Sequence, residues 1–414
     1  MAKEKTISVI DIGSSKISSA TATVSENRIN VIGVSGASES RGVNKGTIIN
    51  IDEAVKAIDR SVQKTDKMSG QSIETVYLTI NGSHIESQTS KGQAAIINEN
   101  NEISRTDVER TLETARAVSL PSNREIIHVI PKDFRVDGND GIHDPVGMYG
   151  NRLEVDTTIV HVSSMVSKNL RKCLSTLSLN VSELVFSGIA SGESVLTDSE
   201  KEMGVALVDI GATTTSLVVY NDRGATYCTT IAIGGKHITN DIAIHLRCQT
   251  ETAEKIKIRL SSERNVPTAT FDNSRFNETL NPVEFGLDMD HISKRSLFKI
   301  IDDRVEEILN LILIELKKTN LINTIPAGVV ITGGGAKTAG MERMGKAILK
   351  LPVKIGYPKG VDGMVEEISD PEFAATVGLL IYASKKINTT SDLSSYKFND
   401  NFKNIISKLK NLLP

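Results

Sequence analysis

Short apolar runs that stop at an Asp-x-Gly turn punctuate this chain, and longer stretches of helical period separate them. In "ISVIDIGSSK" (residues 7–16) the run reads as a buried strand ending in a glycine turn with hydroxyls, and "ISSATATV" reads as the strand returning beside it. The pattern recurs at 205–215, "VALVDIGATTT", followed by "SLVVYN". A unit used twice, about 200 residues apart, is an internal duplication. A third run, in "AGVVITGGGAKTAGMERMGKAI", predicts a buried strand, three consecutive glycines and a helix with Met341, Met344 and Ile348 on one face. Between the two hairpins, "SRTDVERTLETARAV" predicts a helix. The stretch after it, "REIIHVIPKDFRVDGNDGIHDPVGMYGNRLEVDTTIVHVSS", predicts short strands alternating with Gly/Pro/Asp turns. Together these predict a compact α+β insert over 84–161.

The end of the chain has a different pattern. On a helical wheel Phe398, Phe402, Ile405, Ile406, Leu409, Leu412 and Leu413 share one arc of roughly 120°. Lys397, Lys403, Lys408 and Lys410 flank it, and Asp400, Asn404, Ser407 and Asn411 fill the opposite face. The preceding "INTTSDLSS" has no apolar period and reads as a tether. Such a helix suits a lipid interface, with the lysines snorkelling toward anionic headgroups; docking on its own protein or on a partner is the alternative.

A length of 414 residues predicts two to four structural units. A formal net charge of −3 gives no general drive toward nucleic acid, so none is expected as a partner. Cys173, Cys228 and Cys248 are scattered without metal-ligand spacing and suit reduced cytosolic thiols. The start, "MAKEKTISVIDIG", carries no signal-peptide apolar region, and no run reaches the length of a membrane span. The apolar-rich "VEEILNLILIELKK" keeps carboxylates and lysines within it and reads as a buried helix. The expected location is the cytoplasmic side of the membrane.

Gly13 and Gly211 let the backbone turn tightly, so that amides and hydroxyls can face phosphate oxygens. Asp11 and Asp209 would then face each other across a cleft, placed to hold hydrated Mg²⁺ through water. No P-loop run is present. Either hairpin alone could be an ordinary turn. Two hairpins followed by strand–GGG–helix form a specific constellation, in which bare backbone admits an adenosine.

This order resembles the actin-fold superfamily, whose two lobes hold ATP between them. The resemblance implies an α/β, actin-like (ribonuclease-H-like, duplicated) fold. It assigns Asp11, Gly13, Ser14, Ser15 and Lys16 to a first phosphate hairpin and Asp209, Gly211, Thr213 and Thr214 to a second. Gly333, Gly334 and Gly335 would line the adenosine, with Gly235 in the same set. Glu254 and Lys257 of "TAEKIK" would reach ribose and base, unless they form a solvated helix face. The second hairpin reads G-A-T-T where many relatives have G-G-G-T, which bears on hydrolysis more than on binding; no catalytic residue is assigned, and slow ATPase activity at most is expected.

"HVIPKDFRVDG" and "DPVGMYGNRLEV", together with "DIGSSK", "VDIGATTT" and "ITGGGAKTAGMERM", resemble the FtsA family of bacterial cell-division proteins over about residues 5–385. The resemblance implies an ATP- and Mg²⁺-binding filament former that joins the tubulin-like FtsZ to the membrane and helps recruit later division proteins. The expected organisation is a first lobe of 1–83 and 162–198 with its insert at 84–161. A second lobe of 199–240 and 312–386 carries an outer subdomain at 241–311. A linker at 387–396 and a membrane helix at 397–414 follow. The outer subdomain would receive the FtsZ tail through Arg295, Lys299 and Arg304, although basic residues beside Asp302, Asp303, Glu306 and Glu307 also suit a self-paired face. A pilus-assembly relative, a small-molecule kinase and an Hsp70-type chaperone are the alternatives; the last two lack a visible general base and a substrate domain, respectively.

Overall fold

The structure is a computed structural model that describes residues 5–25, 28–97, 100–264 and 278–394. The membrane-helix expectation at 397–414 lies outside the described residues. In chain order, β1 (Lys5–Ile12), β2 (Lys16–Ser25), β3 (Arg28–Val34), α1 (Ile51–Ser69) and β4 (Thr75–Ile80) begin the first lobe. The insert contributes β5 (Glu86–Ala95), α2 (Arg105–Arg116), β6 (Arg124–Val136), β7 (Asn139–Ile142) and β8 (Arg152–Ser163). The first lobe resumes with α3 (Ser164–Thr176), β9 (Asn180–Phe186), α4 (Ser187–Val195) and α5 (Asp198–Met203). The second opens with β10 (Val205–Ile210), β11 (Thr215–Asn221) and β12 (Gly224–Ile231), then α6 (Gly235–Leu246), α7 (Thr250–Arg264) and α8 (Lys294–Lys318). It continues through β13 (Val329–Thr332), α9 (Met341–Leu349) and β14 (Val353–Ile355) to α10 (Ala374–Ser394).

The two main sheets repeat one plan. The first runs β9-β4-β1-β2-β3 and the second β14-β13-β10-β11-β12. In each, three strands form an antiparallel meander and two more join in parallel. The central strands are covered on both faces, which is why "VALVDI" and "SVIDI" are almost continuously apolar. The carboxyl ends of the parallel strands meet at one cleft, the usual place for ligands in open α/β sheets. This is an actin-like, two-lobe α/β fold.

The insert hangs between β4 and α3. Its sheet, ordered β7-β6-β8-β5, is antiparallel, and Ile103, Phe134, Val136, Leu153 and Val155 pack beneath α2. Ser104 starts α2 with a reciprocal capping box to Asp107. The short strands expected here are in fact long. β6 continues through Pro131 because the pairing with β8 shifts register between Asp156 and Thr157, and a bulge tolerates proline inside a sheet.

Three expected boundaries do not follow the packing. Those at 240/241 and 311/312 fall inside α6 and α8, each an unbroken helix. Ile368, Phe373, Val377, Leu380 and Ala383 pack with Ile7, Val9, Ala20 and Val31, so the chain after β14 crosses back onto the first lobe's sheet. α10 lies so close to α4 that a Cβ on Gly378 would sit 1.7 Å from the Ala190 carbonyl oxygen. Only glycine allows that crossing. The first part of the expected linker also belongs to α10, which extends to Ser394. Elongating an existing helix avoids the nucleation cost that a polar segment could not meet alone.

Candidate functional site

A cleft of about 1630 Å³ lies between the lobes, floored by the two Asp-x-Gly hairpins. Their backbones turn alike: Gly13 N–H donates to Lys16 O and Gly211 N–H to Thr214 O, each at 2.9 Å. Each aspartate is fixed by one hydroxyl from a neighbouring element. Thr79 Oγ1 donates to Asp11 Oδ1 at 2.7 Å, and Ser191 Oγ to Asp209 Oδ2 at 2.6 Å. Burial raises the Asp11 carboxyl above its ordinary value, opposed by the Lys16 charge and the Thr79 bond. Burial pushes Asp209 up to about 6, with the Ser191 bond opposing and the nearby Asp11 charge adding to the rise.

Lys16 is the unusual group. Its Nζ is buried, sits 3.4 Å above the centre of the Phe373 ring, and has no hydrogen-bond partner among the described residues. The Glu372 carboxylate is 3.8 Å away, beyond hydrogen-bond reach. Burial lowers the Lys16 pKa, while Asp11, Glu372, Asp209 and Asp370 oppose the shift. A buried ammonium with unused donors is costly unless an anion completes its shell.

Of the residues assigned from sequence, Asp11, Gly13, Ser14, Ser15, Lys16, Asp209, Gly211, Thr214, Gly235, Glu254, Lys257 and Gly333–Gly335 all line this cleft. Thr213 does not line it; its hydroxyl instead accepts the Lys45 amide at 3.2 Å, across the lobes. Glu254 and Lys257 form a half-buried pair in which the carboxylate stays partly exposed. Lys257 is buried, and its Nζ donates to Glu254 Oε2 at 2.8 Å and to Thr239 Oγ1 at 3.0 Å, while Thr239 Oγ1 also donates to Glu254. The glycines serve the fold as well as the cleft. A Cβ on Gly335 would meet Ile210 at 2.3 Å, and one on Gly333 would meet Asp209 Oδ1 at 2.2 Å. Gly235 differs, since its nearest neighbour would lie at 3.7 Å.

The expected peptide rim needs a correction. Arg304 is held bidentately by Asp241 of α6, at 2.7 and 2.9 Å, and also pairs with Glu307. It lies five residues beyond Lys299 and so faces the neighbouring helix. Arg295 and Lys299 are exposed on α8.

Sequence reading missed Thr79, Ser191 and Asn81. They lie on β4, on α4 and just past β4 among other polar residues, and neither period nor motif marks them. The apolar-run-then-polar transition at "YLTIN" is the nearest signal. Among the described residues, no His/Cys/Asp/Glu group is arranged to ligate a metal directly, and no helix is long and apolar enough to cross a membrane.

Comparison with known proteins agrees with this architecture. The sequence model described as "SHS2 domain inserted in FTSA" matches residues 82–161, and "Cell division protein FtsA" matches 206–378. The chain is 33% identical to the cell division protein FtsA of Pseudomonas aeruginosa over 98% of its own length and 97% of that protein. It is 35% identical to FtsA of Borreliella burgdorferi, covering 97% of this chain and 96% of that protein. Among solved structures, a PilM–PilN type IV pilus biogenesis complex aligns with a TM-score of 0.63 at 14% identity, covering 91% of this chain and 98% of that chain. MreB5 of Spiroplasma citri bound to ADP aligns with a TM-score of 0.55 at 12% identity, covering 94% and 98%. At such identities these structures speak for the fold alone. The near-full-length similarity settles the family: this chain belongs to the FtsA family of cell-division proteins.

Proposed function

We propose that the cleft binds ATP with Mg²⁺ between the duplicated hairpins, and that the nucleotide holds the lobes in the form that assembles into filaments. The observation that carries this reading is the buried Lys16 Nζ with unused donors, beside two buried carboxylates. A phosphate chain would complete the lysine's shell. Asp11 and Asp209 would hold Mg²⁺ through its water, each keeping one carboxylate oxygen free of the Thr79 and Ser191 bonds. Bound Mg²⁺ would neutralise phosphate charge; the chain's own part is to orient the phosphates with hairpin amides and Lys16, and to bury them. Solved with ADP and with AMPPNP, MreB5 shows a protein of this fold holding nucleotide.

Family membership supports the rest of the reading. The protein would tether FtsZ at the division septum, on the cytoplasmic face of the membrane, and help assemble later division proteins. The amphipathic pattern of 397–414 supports peripheral attachment to anionic lipids. One such helix binds weakly, and a filament presents many. Arg295 and Lys299 remain exposed cations for the acidic, apolar FtsZ tail, and Arg304 now has no free role there.

Titration of the nucleotide-free protein with a fluorescent ATP analogue, with and without Mg²⁺, tests the cleft. Saturable, Mg²⁺-strengthened binding is expected, weakened at least about tenfold by Asp209→Ala; absence of saturable binding overturns the reading. Co-sedimentation with anionic vesicles tests the tail. Phe402→Glu with Leu409→Glu should abolish pelleting and leave nucleotide binding unchanged.

A further inference from the structure

The insert leaves the first lobe by a path that touches the second lobe twice. Asn81, directly after β4, extends its carboxamide into the second hairpin. Its Nδ2 donates to Thr214 Oγ1 at 3.3 Å, and its Oδ1 accepts from Ser216 Oγ at 3.2 Å, Thr230 Oγ1 at 3.1 Å and the Gly82 amide at 2.7 Å. Six residues on, Ser87 hydrogen-bonds both backbone groups of Cys228: its Oγ donates to the carbonyl at 2.9 Å and accepts the amide at 2.8 Å. Cys228 and Thr230 lie on β12, the second sheet's outer strand, so Ser87 occupies a backbone pair that would otherwise face outward from the sheet edge.

Between these anchors the segment is tied to the insert's return. His84 Nε2 lies 3.1 Å from the Asn81 carbonyl oxygen, and His84 Nδ1 accepts the Ser163 amide at 3.4 Å, where β8 hands over to α3. Gly82, at φ +130°, makes the bend; a Cβ there would meet the His84 ring and the Lys45 carbonyl at 3.0 Å.

We propose that residues 81–87 form an interlobe strap, with Asn81 as its positioning residue, through which closure of the lobes on nucleotide sets the orientation of the insert. The proposal rests on the cleft binding nucleotide. Thr214 lines the cleft from the second hairpin and its Oγ1 is held by the Asn81 carboxamide, so a phosphate that draws on Thr214 also acts on Asn81. Separating the lobes has to break the bonds at Asn81, pull Ser87 off β12, or carry the insert along with the second lobe.

Amide hydrogen exchange on the parent, Asn81→Ala and Ser87→Ala decides it. In the nucleotide-free protein, Asn81→Ala should speed exchange in both 84–95 and 224–231, and Ser87→Ala should speed it at Cys228. Acceleration confined to the first lobe overturns the strap whether or not nucleotide binds. With ATP and Mg²⁺, the parent should gain protection in 84–95. Asn81→Ala should lose that gain and release a fluorescent ATP analogue about tenfold faster. Ser87→Ala should lose the gain yet keep nucleotide affinity within about twofold, which a general loosening of the cleft would not do. Parental protection and release in both variants overturns the proposal. A parent that binds no nucleotide overturns the coupling through failure of the function reading, while the nucleotide-free arm still judges the strap. If Asn81→Ala does not fold, Thr230→Val removes one of the same bonds from the other side.

Discussion

The two hairpins share a backbone and differ in chemistry. Asp11 and Asp209, Gly13 and Gly211, and the closing amide-to-carbonyl bonds superpose in role, but Lys16 in the first stands where Thr214 stands in the second, and Ser14 where Ala212 stands. The lysine charge opposes the rise at Asp11 more than any other neighbour does, whereas Asp209 feels the Asp11 charge more than the lysine. Duplication therefore kept the turn and divided the work: one hairpin brings a cation, the other a carboxylate that resists ionising and a hydroxyl tied to the opposite lobe.

The largest expected effect is on the lysine. Lys16→Ala would remove the charge-assisted phosphate contact proposed for it and should weaken ATP binding about 10- to 100-fold, whereas Thr214→Ala, which loses a neutral bond, should cost about 3- to 10-fold. Isothermal titration of both variants measures the gap. Equal losses would make the hairpins equivalent and end the comparison.

The next concerns the acids. The Asp209 carboxyl is raised from 3.8 to about 6 in the folded protein. Between those values the unfolded chain ionises first, so the folded state loses stability as pH rises, and the loss is complete above the folded pKa. Asp209→Asn escapes it. Denaturant melts of the nucleotide-free protein should show the variant more stable at pH 7.5 by on the order of 1–3 kcal/mol, trimmed by the cleft's solvent, with the advantage vanishing near about pH 4. Asp11→Asn should gain less, because it strips Lys16 of the carboxylate that does most to support its charge. Equal gains would mean that the lysine does not distinguish the two sites.

Much of this arrangement can be read from sequence. Both hairpins and the strand–GGG–helix unit are contiguous, and local pattern reports contiguous chemistry. What escapes is whatever depends on which surfaces meet. Thr79 and Ser191 are single hydroxyls whose roles exist only once β4 and α4 lie beside the aspartates. Arg304 looks free beside its neighbours in sequence and is taken by Asp241 from another helix. Nothing in the sequence of α10 shows that it crosses back to cover the first lobe's sheet. The three glycines looked like ligand-facing backbone, yet Gly333 and Gly335 also press on Asp209 and Ile210. That double duty gives a test on the second lobe alone. Gly335→Ala should destabilise the fold by about 1–3 kcal/mol, the usual cost of overpacking. Gly235→Ala, whose Cβ would meet its neighbours only at ordinary van der Waals distance, should leave the melt unchanged and weaken only nucleotide binding.

The smallest expected effect sharpens the comparison at Ala212. Its methyl stands where the first hairpin has the Ser14 hydroxyl, which accepts the Gly46 amide at 3.2 Å. Ala212 lines the cleft, while the Ala212 carbonyl accepts the Lys236 amide at 2.7 Å through backbone that any residue supplies. Ala212→Gly therefore removes bulk from the cleft wall, beside the proposed phosphate site, without removing a bond. The added backbone freedom costs about 0.5–1 kcal/mol of stability, and affinity should change by less than about threefold. If the proposed nucleotide is hydrolysed, phosphate release is the more sensitive measure, because a methyl crowding a water at the phosphates would act on the reaction more than on the bound state. A faster single-turnover release with near-parental affinity is expected. An unchanged rate would show that the methyl is a bystander, and that the difference between the hairpins rests on Lys16 and Thr214.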